Sequence, residues 1–260
     1  MSTSGDELVP PIGDGNGYNT RERDLKFLAI DGDQIVAWRE RDYPLGQSEI
    51  TFTAFREKLA EALLKDGLSI AGCDVRLKGS AAEFYSGPHK PMPRSDKDLV
   101  RWFFLLRERT PEDWELQEIK NRLNEKWLTD GLGPSRRPFD VMFRLGIDQY
   151  PSDFDVQISS DELVERCKEI LEDEAHGVEE LTVANPHYGF VRHHLVAKAA
   201  PSLYQFGLYM SDCLDGRNVG IAVFPSSGPP EAPDEPISSH FQETDWRIDI
   251  REPNGEGPIS

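Results

Sequence analysis

The segment Ser152-Asp153-Phe154-Asp155-Val156-Gln157-Ile158 constrains this chain more than any other. Apolar and polar residues alternate with a period of two, the signature of a strand with one buried face. Phe154, Val156 and Ile158 then enter a core, and Asp153 and Asp155 project together from the opposite face. Two neighbouring carboxylates repel each other unless a cation lies between them, and hard oxygen ligands of this kind suit Mg²⁺. The same Asp-x-Asp spelling at Asp31/Asp33 and Asp96/Asp98 lacks this position at the head of an apolar strand.

A half-buried strand needs neighbours, and the sequence offers several. Cys73 to Leu77, Val219 to Phe224 and the alternating Trp246, Ile248 and Ile250 all read as strands. Leu25 to Ile30 and Gln34 to Trp38 flank Asp31-Gly32-Asp33, and Asp-Gly between apolar runs predicts a hairpin turn. Helical spacing recurs at Phe52, Phe55, Leu59 and Leu63, with Thr51 or Thr53 as the cap, and again over Asp96 to Arg107. A third helix is expected from Thr110-Pro111-Glu112-Asp113, burying Trp114, Ile119, Leu123 and Trp127. Ser159 and Glu162 predict a capping box for Asp161 to Glu172, and Val191 to Leu214 reads as helix broken at Pro201. Strands interleaved with helices imply a mixed α/β or α+β domain with helical additions over 25–260. Four glycines and two prolines with little apolar periodicity make 1–24 an expected flexible tail.

Composition narrows the function classes. With 29 Lys+Arg against 47 Asp+Glu, the formal charge is −18, the wrong sign for a protein that coats DNA through phosphate contacts. No apolar run is long enough to span a membrane, and no secretory leader is expected at the start. Three scattered cysteines, Cys73, Cys167 and Cys213, argue against a disulfide scaffold or zinc cage. His187, His193 and His194 have no carboxylate or cysteine at ligand spacing, and a cytoplasmic location is expected.

A second feature gives Asp153 and Asp155 a chemical context. In Leu77-Lys78-Gly79-Ser80-Ala81-Ala82 a strand turns through Gly-Ser into a small-residue helix, a place where backbone N–H groups can approach an anion. Gly-Ser at such a turn, followed by an h-D-h-D-h strand, resembles the nucleotidyltransferase superfamily with the polymerase-beta-like fold. The resemblance implies a small mixed sheet, here with an extra N-terminal hairpin. It also implies that Gly79 and Ser80, with Lys78, grip a nucleoside triphosphate while Asp153 and Asp155 hold Mg²⁺ or Mn²⁺. Ser80 and Asp153 stand 73 positions apart where the family has a short loop, so residues 83–148 are read as an inserted helical subdomain.

The family also carries a third acid on a neighbouring strand. Gly220 occupies that place in Val219 to Phe224, and the strand 244–250 offers Asp245, with Asp249 as its substitute. Asp245 would join Asp153 and Asp155 as a metal ligand, and Asp245 or Asp249 would help deprotonate the acceptor. Lys78, Lys90, Arg94, Lys97 and Arg101 form a cationic cluster suited to phosphates, and Phe84, Tyr85 and Trp102 are aromatic candidates for stacking or core. The implied activity is transfer of a nucleotidyl group from an NTP to RNA, protein or a small molecule, with release of pyrophosphate. Relatives of this kind often serve bacterial defence or toxin systems. The alternative is an inactive binding or regulatory module of the same fold.

Overall fold

Alternation at 154–158 builds the centre of the sheet. The computed structural model describes residues 11–128, 133–174, 183–185, 188–229, 241 and 245–251. Within it β2 (Phe154–Ser159) pairs antiparallel with β1 (Asp74–Lys78) and parallel with β3 (Val219–Phe224). A short β4 (Trp246–Arg247) lies antiparallel on the outer edge of β1, giving the order β3-β2-β1-β4. The architecture is mixed α+β, with one four-stranded sheet among the described residues.

Register separates the two faces. Leu77 stands opposite Val156 and Trp246, and Val156 opposite Ile221, so this face is apolar. It is covered by α3 (Glu49–Lys65) and α10 (Pro201–Cys213). The Phe52 ring meets Trp246 edge-on at 6.2 Å, and Phe55 meets Phe206 at 5.1 Å. The other face aligns Lys78, Asp155 and Gly220 across three strands. Two further helices, α8 (Asp161–Glu174) and α9 (His193–Ala199), pack against each other, and α9 also packs on α10. Helix starts fall close to their expected places but on other caps: Ser48 receives the Thr51 N–H at 3.2 Å, and Ser160 receives that of Leu163 at 3.4 Å. Ser159 is instead the buried last residue of β2.

Between β1 and β2 the chain makes α4 (Ser80–Glu83), α5 (Asp96–Arg107), α6 (Asp113–Leu123) and α7 (Val141–Leu145). Among the described residues 84–148 the only β pairing is two isolated bridges, Tyr85 with Pro138 and Pro91 with Arg136. These bridges matter. The Phe139 N–H donates to the Phe84 carbonyl at 2.8 Å, Ser86 N–H to Arg137 at 2.8 Å, and Met92 N–H to Ser135 at 2.9 Å. The two ends of the long excursion are thereby tied together, and the entropic cost of such a loop grows only slowly with its length. α6 starts after the Glu112 cap rather than at Thr110, and Trp114 is 62% exposed, donating its indole N–H to Glu112. Ile119, Leu123 and Trp127 are buried as expected.

The N-terminal region departs from its expectation. In place of a hairpin, the structure has α1 (Glu22–Leu28) and α2 (Gly32–Glu40). Asp31 is the N-cap of α2: its carboxylate accepts the Gln34 N–H at 2.8 Å, and the Gln34 side chain answers at the Asp31 N–H. Aspartate before glycine serves a helix start as readily as a turn. Residues 11–24 are not loose either. Asp14 accepts from the Ser135 N–H and hydroxyl at 2.8 and 2.7 Å, and Asp24 accepts from Tyr18 and, at 2.9 Å, from the Trp127 indole. Residues 1–10 of the expected tail, and His187, lie outside the described residues. No described helix is long and apolar enough to cross a membrane.

One buried ion pair fixes the approach to β2. Arg217, just before β3, donates in parallel to both Asp140 oxygens at 2.7 and 2.6 Å. Asp140 also accepts the Ser152 N–H at 2.9 Å, and its own N–H donates to the Ser152 hydroxyl at 3.0 Å. Asp140 sits at φ 60, a left-handed conformation that asparagine tolerates. Asp140→Asn should therefore keep the backbone and leave Arg217 buried without its counter-charge. A loss of about 3–5 kcal/mol in urea unfolding is expected; a change under about 0.5 kcal/mol, the ordinary surface value, would contradict this role.

Candidate active site

Gly79 brings the two motifs together. It follows β1 at φ 76, ψ −165, a region essentially reserved for glycine. A Cβ there would lie 2.9 Å from Asp155 Oδ2. The β1–β2 register produces this contact, because Lys78 is the direct partner of Asp155 and the next residue turns over its carboxylate. Ser80 opens α4 beside it. Gly79, Ser80, Asp153 and Asp155 all line one cavity of about 550 Å³. That helix has four residues, too few for an appreciable macrodipole, so charge complementarity for an anion must come from side chains.

Asp153 and Asp155 are exposed to solvent in the cavity, yet protein atoms crowd around both carboxylates. Burial, reinforced by the Asp155 charge and only partly offset by a hydrogen bond from Asn218, pushes the Asp153 carboxyl up to about 6. Burial also pushes Asp155 up, and the Lys90 ammonium opposes it. On β3, Gly220 is the direct partner of Asp155, and a Cβ there would stand 3.7 Å from Asp155 Oδ1. The strand neighbouring the carboxylate pair thus carries no side chain at the position where a third acid would project.

Neither substitute fills it. Asp245 is buried and neutralised by Arg76, at 3.0 Å, and by Lys78. Its two cations compete with any metal for its oxygens, which corrects its expected place as a metal ligand. The same pair removes Lys78 from the expected phosphate grip, since its ammonium faces Asp245 and the residue does not line the cavity. Asp249 is exposed and accepts from Arg251 at 2.7 Å, outside the cavity lining. Among the described residues no group of three or more His, Cys, Asp or Glu side chains is placed to hold a metal ion.

Of the five cations expected to cluster, Lys90 alone lines the cavity. Arg94 reaches the Gly133 carbonyl at 3.4 Å, and Arg101 lies over the Trp102 ring. Arg136 and Arg137, which the sequence did not single out, also line it, as do Glu83 and Asp148. Burial raises the Glu83 carboxyl despite the nearby Lys78 and Arg136. Phe84 and Tyr85 are core residues, whereas Trp102 faces the cavity. The three cysteines are free thiols.

No family model matches the chain, and neither a curated protein nor a solved structure matches it.

The raised Asp153 carboxyl has a consequence for stability. An unfolded aspartate titrates near 3.9, so between about pH 4 and 6 the folded state holds the extra proton and stability falls as pH rises. Asp153→Asn lacks this penalty. In metal-free buffer its melting temperature should exceed that of the parent above pH 6, and the advantage should vanish below about pH 4. A lower melting temperature for the variant at pH 7.5 would contradict the desolvated, repelled carboxylate.

Proposed function

We propose that this cavity is the site of a Mg²⁺- or Mn²⁺-dependent nucleotidyltransferase, moving a nucleotidyl group from an NTP to an acceptor hydroxyl with release of pyrophosphate. The observation that carries the reading is the contact of Gly79 with the Asp155 carboxylate. It joins the Gly-Ser and Asp-x-Asp motifs across 76 positions of sequence, on adjacent antiparallel strands and in one cavity.

The donor set fits one hard cation. Two carboxylates that destabilise each other's charge are a suitable partial shell for Mg²⁺, which typically takes one or two carboxylates and completes its shell with water and substrate phosphates. When bound, such an ion would supply Lewis-acid polarisation of the phosphates and charge neutralisation. The protein's own share is positional. Asp153 and Asp155 orient the ion, the bare Gly79 backbone leaves room for a phosphate, and Lys90, Arg136 and Arg137 place positive charge around the cavity. RNA, protein and small molecules all remain candidate acceptors.

A second reading has its own support. Gly220 opposite Asp155, and Asp245 engaged by Lys78 and Arg76, leave the carboxylate pair without a third acid. A protein that binds NTP without transferring it would have this arrangement. Incubation with each α-labelled NTP, Mg²⁺ or Mn²⁺ and cellular RNA, protein and metabolite fractions separates the two. Transferred label supports the enzyme; saturable NTP binding without product supports the binding module.

Asp153→Asn with Asp155→Asn should abolish transfer while leaving the fold intact, because relieving carboxylate repulsion disturbs no packing. Undiminished transfer would remove the pair from the mechanism. Gly79→Ala should cost stability by about 1–3 kcal/mol from backbone strain alone. It should also weaken metal-dependent NTP binding, since the new methyl group meets Asp155 Oδ2. Unchanged binding in a folded Gly79→Ala protein would count against the close approach at this turn.

A further inference from the structure

Among the described residues, Arg137 is a buried charge that no ion pair explains. It is 6% exposed, yet no ion pair or terminal-nitrogen hydrogen bond holds its guanidinium among the described residues. Nη2 is buried without a partner, and the one hydrogen bond of the side chain runs from Nε to the Pro91 carbonyl at 3.0 Å. The guanidinium lies over Trp102, with its central carbon 3.7 Å from the ring centroid. Burial without an acid lowers its pKa to about 10, so it stays cationic at neutral pH. In a chain with 47 acidic residues, a buried arginine without an ion pair is expensive. Among the described residues no carboxylate lies within ion-pairing distance of it, although Glu83, Asp148, Asp153 and Asp155 line the same cavity.

Its position suggests what completes it. Arg137 lines the same cavity as Ser80, Asp153 and Asp155, and Lys90 and Arg136 line it too. Arg136 differs, because its Nε is committed to the Ser86 carbonyl at 2.6 Å and Glu83 lies 3.9 Å from its Nη2. The guanidinium of Arg137 is placed by the Trp102 ring and by the Nε bond to Pro91. Its terminal nitrogens have no protein partners among the described residues, and Nη2 is enclosed. A planar, preorganised pair of donors is suited to an oxyanion, above all a tetrahedral phosphate.

We propose that Arg137, stacked on Trp102, is a phosphate-binding residue supplied to the cavity by the 83–148 excursion. The phosphate is one group of a phosphorylated ligand, either the nucleotide's own triphosphate or a phosphate on a second ligand. The inference rests on the nucleotidyltransferase reading only for the identity of that carrier. Phosphate recognition itself needs no divalent ion and no transfer.

The experiment is calorimetric titration of the full chain with inorganic pyrophosphate in EDTA, for the parent, Arg137→Met, Arg137→Lys and the Asp153→Asn/Asp155→Asn protein. Methionine keeps an apolar stem against Trp102 and removes the charge. Its affinity for pyrophosphate should fall about 10- to 100-fold, the scale of a charge-assisted hydrogen-bonded contact. Lysine keeps the charge but loses the fork, and should fall about tenfold. The double asparagine protein should bind pyrophosphate at least as well as the parent, because two repelling carboxylates are gone. This holds even if no transfer activity is ever found, which separates the two proposals.

Without ligand, Arg137→Met should melt at or above the parent temperature, since it removes an unpaired buried charge. Should methionine prevent folding, the lysine variant decides the matter. Repeating the titrations with ATP in EDTA locates the phosphate. Parallel losses assign it to the nucleotide, and a loss confined to pyrophosphate assigns it to the second ligand. No pyrophosphate binding by the parent would overturn the proposal. So would equal affinity in the parent and the folded variants, or a lower melting temperature with unchanged affinity.

Discussion

The bidentate pair between Arg217 and Asp140 is the interaction on which the rest of the site depends. Asp140 stands just before α7 on the return limb of the excursion between β1 and β2, and Arg217 stands just before β3. Between them Ser152 is held by its N–H and its hydroxyl to Asp140, and by its carbonyl to Arg217 at 3.1 Å. Ser152 is the residue before Asp153. Both partners are nearly buried, so the pair is little screened, and either charge alone would be costly there. The clamp therefore couples three distant parts of the chain and sets the height at which the first carboxylate leaves the sheet.

Downstream of that clamp, strand register does the rest. Pairing Lys78 with Asp155 puts Gly79 over the second carboxylate, and pairing Asp155 with Gly220 leaves the other side bare. Charge on this face is divided between a buried compartment and an open one. Asp245 is neutralised by Lys78 and Arg76, whereas Asp153 and Asp155 share a cavity with Lys90, Arg136 and Arg137. The first compartment is internally balanced and structural. The second holds like charges in proximity and a guanidinium without an acid, an arrangement that a bound cation and a phosphate would each relieve.

The parts legible in the sequence were those governed by short-range periodicity. Phe154, Val156 and Ile158 alternate, and alternation alone set their strand and the common face of the two aspartates. The helix Asp96–Arg107 was legible for the same reason at a different period. Asp31-Gly32 was not, because a residue that turns a hairpin also caps a helix, and what decides is the Gln34 side chain reaching back. Helical spacing places Trp114 inside, but in α6 it is the second residue and its indole turns outward to the Glu112 cap. Long-range partners leave no local trace. The Lys78–Asp245 bond spans 167 positions, so Asp245 read as a free acid, and the burial of Arg137 depends on Trp102 and Pro91, each remote in sequence.

The proposed site requires Asp153 and Asp155 to hold a divalent cation shared with a nucleotide lying over Gly79. A crystal grown with Mn²⁺ and a non-hydrolysable NTP analogue tests it directly through the anomalous signal of manganese. One strong peak is expected within about 2.0–2.3 Å of oxygens from both carboxylates, with phosphate oxygens completing the shell, and no peak at Asp245. Manganese and nucleotide bound elsewhere, with the Asp153/Asp155 pair carrying no peak, would contradict it.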